Sequence, residues 1–118
     1  MILVTGSEGF VGRVLLRQFI QSGLPVKGFD RVKNSDLDYN LHCIDLVNPI
    51  TLDSASYDVV IHCAAAKGDW DIPDKEFYED NVLATENLIN YVRKCEVKKI
   101  IHFSTVAIYS RDVTDGSE

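Results

Sequence analysis

The chain has 118 residues and a formal net charge of −6, from 12 basic and 18 acidic side chains. This length suits one domain with a buried core. Acidic and basic residues are interleaved, which argues against nucleic-acid partners and anionic membranes. No apolar run approaches the roughly 18 residues of a membrane span, and Met1 leads straight into an apolar strand without room for a signal peptide, so we expect a cytoplasmic protein.

The cysteines give no sign of a metal site or a disulfide. Cys43, Cys63 and Cys95 are odd in number, lack CxxC spacing and lie in or beside apolar segments. We therefore expect reduced thiols in the core and assign them no chemistry.

The amino-terminal segment combines a short apolar run, evenly spaced glycines and a helical pattern. The run Ile2–Thr5 is too short for a helix and predicts a buried parallel strand. A helix is predicted over about residues 10–22, ended by Gly23 and Pro25. Glycines let backbone N–H groups approach an anion, and the first turn of a helix carries a partial positive charge. Strand, turn and helix together predict a phosphate-binding site.

The rest of the chain predicts further strands and a second, longer helix. The strands are predicted over residues 25–30, 41–44, 58–64 and 98–105, a single helical turn near Leu52, and the longest helix over about 74–95. Because strands alternate with helices and long crossovers, the sheet should be parallel with helices on both faces. The predicted fold is a doubly wound α/β domain of the Rossmann type, strand order 3-2-1-4-5, that stops after the fifth strand.

A second apolar row widens the face of the long helix. It consists of Val82, Ile89 and Val92. The row is either a broad core face, which we favour, or a contact with a partner subunit.

The glycine turn and a downstream acid together indicate the ligand. A Gly-x-x-Gly-x-x-Gly turn alone also serves nucleoside monophosphates, flavins and methyl donors. Asp30 ends the second strand about 20 residues beyond the turn, where a carboxylate can accept both hydroxyls of an adenosine ribose. A 2′-phosphate would be repelled there, which favours NAD over NADP, although Arg31 could partly accommodate a phosphate. Without the turn, Asp30 could equally be an exposed strand-end acid.

Several motifs in a fixed order resemble one family. They are Thr5-Gly6-x-x-Gly9-Phe10-Val11-Gly12, Asp30-Arg31, Asp45-Leu46, His62-Cys63-Ala64-Ala65, Asn81-Val82 with Thr85 and Asn87-Leu88, and Phe103-Ser104-Thr105-x-x-Ile108-Tyr109. Together they resemble the extended short-chain dehydrogenase/reductases, specifically the NAD-dependent epimerase/dehydratase family of nucleotide-sugar enzymes. The resemblance runs from Val4 to Tyr109.

The resemblance implies a set of cofactor-binding residues. They are Gly6, Gly9, Phe10, Val11 and Gly12 at the pyrophosphate; Asp30 and Arg31 at the adenosine ribose; Asp45 and Leu46 at the adenine; and the small Cys63, Ala64 and Ala65 where the dinucleotide crosses the strand ends. Lys67 would reach the nicotinamide half or be a solvated loop lysine. Asn81 would fix the neighbouring strand-end backbone.

Other conspicuous side chains have ordinary explanations. His62 resembles the family's structural strand histidine, and His42 and His102 are expected to be structural as well. Trp70 would contact substrate or a partner, or be a surface anchor.

The catalytic set implied by the resemblance is incomplete in this sequence. Family members use a Tyr-x-x-x-Lys pair plus a Ser or Thr, and Thr105 matches the latter. No tyrosine here has a lysine four residues later. We therefore expect residues 1–118 to be an inactive, incomplete NAD-binding domain of a longer enzyme whose substrate-binding lobe follows. The alternative is a complete, short dinucleotide-sensing module, and a methyl-donor-dependent transferase is a third class.

A truncated domain would leave surfaces uncovered. Its last strand would be an edge, and apolar helix faces would lack the part that covers them. We therefore expect self-association through that region.

Overall fold

The computed structural model describes residues 1–64 and 79–103, and in this part of the chain five parallel strands form one sheet. The strands are β1 (Ile2–Thr5), β2 (Val26–Asp30), β3 (Asn40–Cys43), β4 (Ser56–His62) and β5 (Glu96–His102). The helices are α1 (Phe10–Gln21) and α2 (Ala84–Val92), the latter continuing a π-helical segment, Glu79–Leu83. The sheet order is β3-β2-β1-β4-β5, which confirms the predicted fold class.

The register brings the carboxyl ends of the strands to one edge of the sheet. Thr5 at the end of β1 lies beside Phe29 on one side and His62 on the other. The chain passes from β1 outward to β2 and β3 and then returns to the opposite side of β1 as β4. Ligands in this architecture bind where the strand order reverses, so the ends of β1 and β4 mark the expected site.

Each face of the sheet has its own core. On one face, Leu3 and Val60 pack in the same core as Leu88 and Tyr91 of α2. Val4 faces the opposite side, where it packs with Leu16 of α1. Because successive strand side chains point to opposite faces, β1 and β4 each contribute apolar side chains to both cores.

Two buried tyrosines fasten α2 to the segment that precedes β4. The Tyr91 hydroxyl donates to the Asp53 carbonyl at 3.1 Å and lies 2.9 Å from the Tyr57 hydroxyl. Leu52 packs against the same core and lies in a bend rather than in a helix. The predicted helical turn near Leu52 is therefore wrong, because tertiary contacts set the path of this connection.

Other differences from the predicted elements are small. Strands β4 and β5 each begin two residues earlier than predicted and end earlier too, and β3 begins one residue earlier. The start of the long helix lies outside the described residues. Cys43 is exposed rather than in the core, while Cys63 and Cys95 are partly buried, and all three are free thiols.

The residues of the second apolar row of the long helix differ in their burial. Val92 is buried, whereas Val82 and Ile89 are exposed. On the neighbouring β5, Ile100 and Ile101 are also exposed, as is Phe103 directly after the strand. Self-association through this region stays a prediction. No helix in the described residues is long and apolar enough to cross a membrane.

Candidate functional site

A cavity of about 550 Å³ lies at the carboxyl edge of the sheet. Its wall includes predicted site residues at the carboxyl ends of four strands: Gly6 and Gly9 after β1, Asp30 at the end of β2 with Arg31 after it, Asp45 and Leu46 after β3, and Cys63 and Ala64 after β4. The structure thus brings together residues as far apart in sequence as Gly6 and Ala64. A cleft of this size, with glycine backbone on one side and a carboxylate on another, suits a nucleotide.

Some predicted residues are not part of the cavity wall. Phe10 and Val11 are exposed on the first turn of α1, and Gly12 is buried behind the glycine turn. Asn81 lies in the π-helical segment, where its carbonyl accepts the Thr85 hydroxyl at 2.7 Å. Ala65, Lys67, Trp70 and Thr105 lie outside the described residues. The roles predicted for all of these residues stay predictions.

The glycine turn has a geometry that other residues would disrupt. Gly6 has a φ of +66°, and a Cβ there would lie 2.7 Å from the Ala64 nitrogen. At Gly12 a Cβ would lie 2.1 Å from the Gly6 carbonyl oxygen, so this glycine lets α1 pack directly on the turn. Gly9 is the N-cap of α1 and supplies no side-chain cap. The first N–H groups of α1 are therefore left to an anion at the turn.

Asp30 is held rigidly at the rim of the cavity. One carboxylate oxygen accepts the Glu8 N–H at 2.9 Å and the other accepts the Arg31 N–H at 2.7 Å. A carboxylate offers about four lone-pair sites, so each oxygen can accept a further hydrogen bond from a ribose hydroxyl. The two backbone N–H groups fix the direction in which those sites point.

A buried amide that sequence analysis left without a role supports the adenine side of the cavity. Asn87 of α2 donates from Nδ2 to the Leu46 carbonyl at 2.6 Å. Asp45 in turn accepts the Val47 N–H at 3.0 Å, which closes a turn at the rim. Asn87 was visible only as one residue of a motif, because its partner lies 41 residues away.

Glu8 is one of several wall residues that the sequence did not reveal, together with Phe29, Val32, Asn34 and Ala84. It lies between Gly6 and Gly9 at a position that the glycine motif leaves unspecified, so no local signal marks it as functional. The structure nevertheless buries it, and its backbone N–H is the group that Asp30 holds. Its partners lie 26 to 31 residues further along the chain and could not be recognised from the sequence.

His62 forms a buried network behind the cavity wall. Thr85 donates its hydroxyl proton to the Asn81 carbonyl, so Thr85 Oγ1 accepts from His62 Nε2, 2.9 Å away. His62 Nδ1 then accepts the hydroxyl of Thr5 at 2.5 Å, and Thr5 Oγ1 accepts the Ala64 N–H at 3.2 Å. A neutral imidazole satisfies this chain of bonds. It positions the strand ends that carry Cys63 and Ala64.

This network predicts a pH-dependent stability. Burial lowers the pKa of His62 from 6.5 to about 4, and nearby His102 adds to the shift. Between about pH 4 and pH 6.5, His62 is therefore protonated in the unfolded chain and neutral in the folded chain. The free energy of unfolding rises with pH across this range. We expect the free energy of unfolding to fall by about 3 kcal/mol between pH 7 and pH 4 through this residue.

Denaturant titrations of wild type and His62→Gln at several pH values would measure this slope. The variant should lose most of the slope that His62 contributes between pH 6.5, its ordinary pKa, and about pH 4, its pKa in the folded protein. His42→Gln is the matched control. Burial and the nearby Lys27 lower the pKa of His42 as well, but this residue is only partly buried in β3, so its removal should change the slope less than His62→Gln does. An unchanged slope in His62→Gln would contradict the neutral network.

The fold and the cavity define a class of protein. A doubly wound parallel sheet with a glycine turn at the amino end of a helix, an acid at the end of β2 and a cleft at the strand switch point is the arrangement of dinucleotide-binding α/β domains. A sequence profile of the NAD dependent epimerase/dehydratase family matches residues 2–118. The chain belongs to this family.

Individual relatives are similar over nearly the whole of this chain. A UDP-glucose 4-epimerase from Cyamopsis tetragonoloba is 30% identical over 93% of this chain and 37% of its own length. A 2-alkyl-3-oxoalkanoate reductase from Shewanella oneidensis is 31% identical over 89% of this chain and 28% of its own length. The chain therefore spans only 28% to 37% of the length of these relatives.

Solved structures agree with the fold. A UDP-galactose 4-epimerase superposes with a TM-score of 0.78 at 26% identity, over 96% of this chain and 41% of the other. MoeE5, solved with UDP-glucuronic acid and NAD, superposes with a TM-score of 0.77 at 28% identity, over 92% of this chain and 38% of its own.

Proposed function

We propose that this chain is the NAD-binding portion of a nucleotide-sugar epimerase, dehydratase or reductase. The cavity at the strand switch point carries the proposal, because Gly6 and Gly9 lie on one side of it and Asp30 on another. The turn would receive the pyrophosphate, and the Asp30 carboxylate would accept the adenosine ribose hydroxyls. Bound NAD would supply reversible hydride transfer.

The residues around the cavity suit such a ligand. Gly6 has no room for a Cβ beside Ala64, so backbone rather than side chains borders the turn. Leu46 is buried and offers an apolar wall on the adenine side. Asp30 and Glu8 both place acidic groups near the ribose end, which favours NAD over NADP.

The substrate class is proposed from relatives. Several are UDP-glucose 4-epimerases, and MoeE5 was solved with UDP-glucuronic acid. The 2-alkyl-3-oxoalkanoate reductases support the proposal of a reductase reaction, although the substrate in their name is not a nucleotide-sugar. Within the complete enzyme, Thr105 is proposed to orient the substrate. Residues 1–118 alone would not catalyse conversion of a substrate, because no tyrosine here is followed four residues later by lysine.

The activity of the full-length protein tests this function. With UDP-glucose or UDP-galactose we expect either interconversion of the two sugars or dehydration, each with a transient absorbance from reduced cofactor, or a net oxidation in which reduced cofactor accumulates. Chromatography of the nucleotide-sugars would detect each product. Tight NAD binding without turnover of any nucleotide-sugar would instead favour a dinucleotide-sensing module.

A further inference from the structure

The carboxylate of Glu8 is enclosed by the loop that follows β2. Its side chain is completely buried. Oε1 accepts the N–H groups of Asn34 and Ser35, each at 2.6 Å. Oε2 accepts the hydroxyls of Ser35 at 3.0 Å and Tyr39 at 2.5 Å. We call these donors of Asn34, Ser35 and Tyr39 the Glu8 cage.

Glu8 is charged inside this cage. Burial raises the pKa of its carboxyl, but the hydrogen bonds from the cage outweigh burial and hold the pKa below its ordinary value. Lys33 adds a positive charge 3.8 Å from Oε2. The side chain is therefore an anion in a set of donors that all point at it.

The same donors would suit a phosphate group. Consecutive backbone N–H groups with hydroxyls and a lysine nearby form the kind of concave site that binds phosphate oxygens. In this chain an internal carboxylate already fills that site. A phosphate arriving from outside would meet both the occupied donors and a like charge.

The cage borders the cavity next to Asp30. Glu8 and Asn34 belong to the cavity wall together with Asp30, and the Glu8 N–H donates to Asp30 at 2.9 Å. If Asp30 holds the adenosine ribose, as the proposed function requires, a phosphate on the 2′-oxygen would lie beside the cage. We infer that Glu8 is a specificity residue, whose carboxylate occupies the donors that a 2′-phosphate needs and so makes the site select NAD over NADP.

Two variants of the full-length protein separate this role from simple packing. Glu8→Gln keeps the size of the side chain and removes the charge, and Glu8→Ala empties the cage. Calorimetric titration with NAD and with NADP gives two dissociation constants for each protein. We expect the ratio of the NADP constant to the NAD constant to fall about tenfold or more in Glu8→Gln, and further in Glu8→Ala.

Controls distinguish charge from loop order. Glu96→Gln removes an equal charge from the opposite end of the sheet, at the start of β5, and should leave the ratio unchanged. Ser35→Ala loosens the cage but keeps the Glu8 charge, so both constants should change together. Thermal unfolding without ligand identifies variants that fold, and the isosteric Glu8→Gln is the decisive one.

The outcomes also separate this inference from the proposed function. An equal loss of NAD and NADP affinity in Glu8→Gln would mean that Glu8 only orders the loop, and would overturn the inference while leaving NAD binding intact. A wild-type protein that binds neither dinucleotide would overturn the proposed function and the inference together. An unchanged ratio of the two dissociation constants in both Glu8 variants would also overturn the inference, and would leave the proposed function intact.

Discussion

Replacing Gly12 with alanine is expected to lower the free energy of unfolding by about 3 kcal/mol, because the added Cβ would clash with neighbouring backbone atoms. It would lie 2.1 Å from the Gly6 carbonyl oxygen and 2.8 Å from the Ser7 Cα. Both neighbours are backbone atoms of the glycine turn and cannot rotate away. Either α1 must shift off the sheet or the turn must open. Denaturant unfolding of wild type and variant would measure the loss.

Gly9→Ala is the matched control for this prediction. Gly9 has a φ of −81°, and its added Cβ would approach the Gly6 oxygen only to 3.3 Å. We expect a cost of about 1 kcal/mol or less. Equal costs at Gly9 and Gly12 would contradict direct packing of α1 on the turn.

The second large effect concerns Asp30. Asp30→Asn removes the charge and one acceptor from the carboxylate that holds the Glu8 and Arg31 N–H groups. If this carboxylate also accepts the adenosine ribose, the affinity for NAD should fall about 30- to 100-fold, since hydrogen bonds to a charged group contribute roughly 1.5–3 kcal/mol each. Calorimetry on the full-length variant, expressed relative to wild type, measures the loss.

Asp36→Asn provides the comparison for Asp30→Asn. Asp36 is an exposed acid in the same loop and does not belong to the cavity wall. Its variant should bind NAD as the wild type does. Comparable losses in both variants would show that the net charge of the loop, rather than a specific contact of Asp30, controls affinity.

Features with a local cause could be predicted from the sequence. The strand order followed from the alternation of apolar strands with helices, and the position of the cleft followed from the glycine turn and Asp30. Boundaries shifted by one or two residues because pairing with neighbouring strands, not local propensity, decides where a strand begins. The segment near Leu52 does not form the predicted helical turn, because its contacts with Tyr91 and the core hold it in an irregular path with a bend at Leu52.

Features that depend on distant partners could not be predicted. The burial of Glu8 rests on donors supplied by a loop that has no periodic pattern of its own. Asn87 likewise acquires its role only when α2 is laid against the loop after β3. His62 shows the intermediate case, since its structural character could be expected, while its tautomer follows only from the Thr5 and Thr85 contacts.

Calorimetric titration of the full-length wild-type protein with NAD is the decisive measurement of whether the cavity binds this cofactor. We expect saturable binding with one NAD per chain and a weaker, or undetectable, response to NADP. Absence of NAD binding, or a preference for NADP, would contradict this expectation.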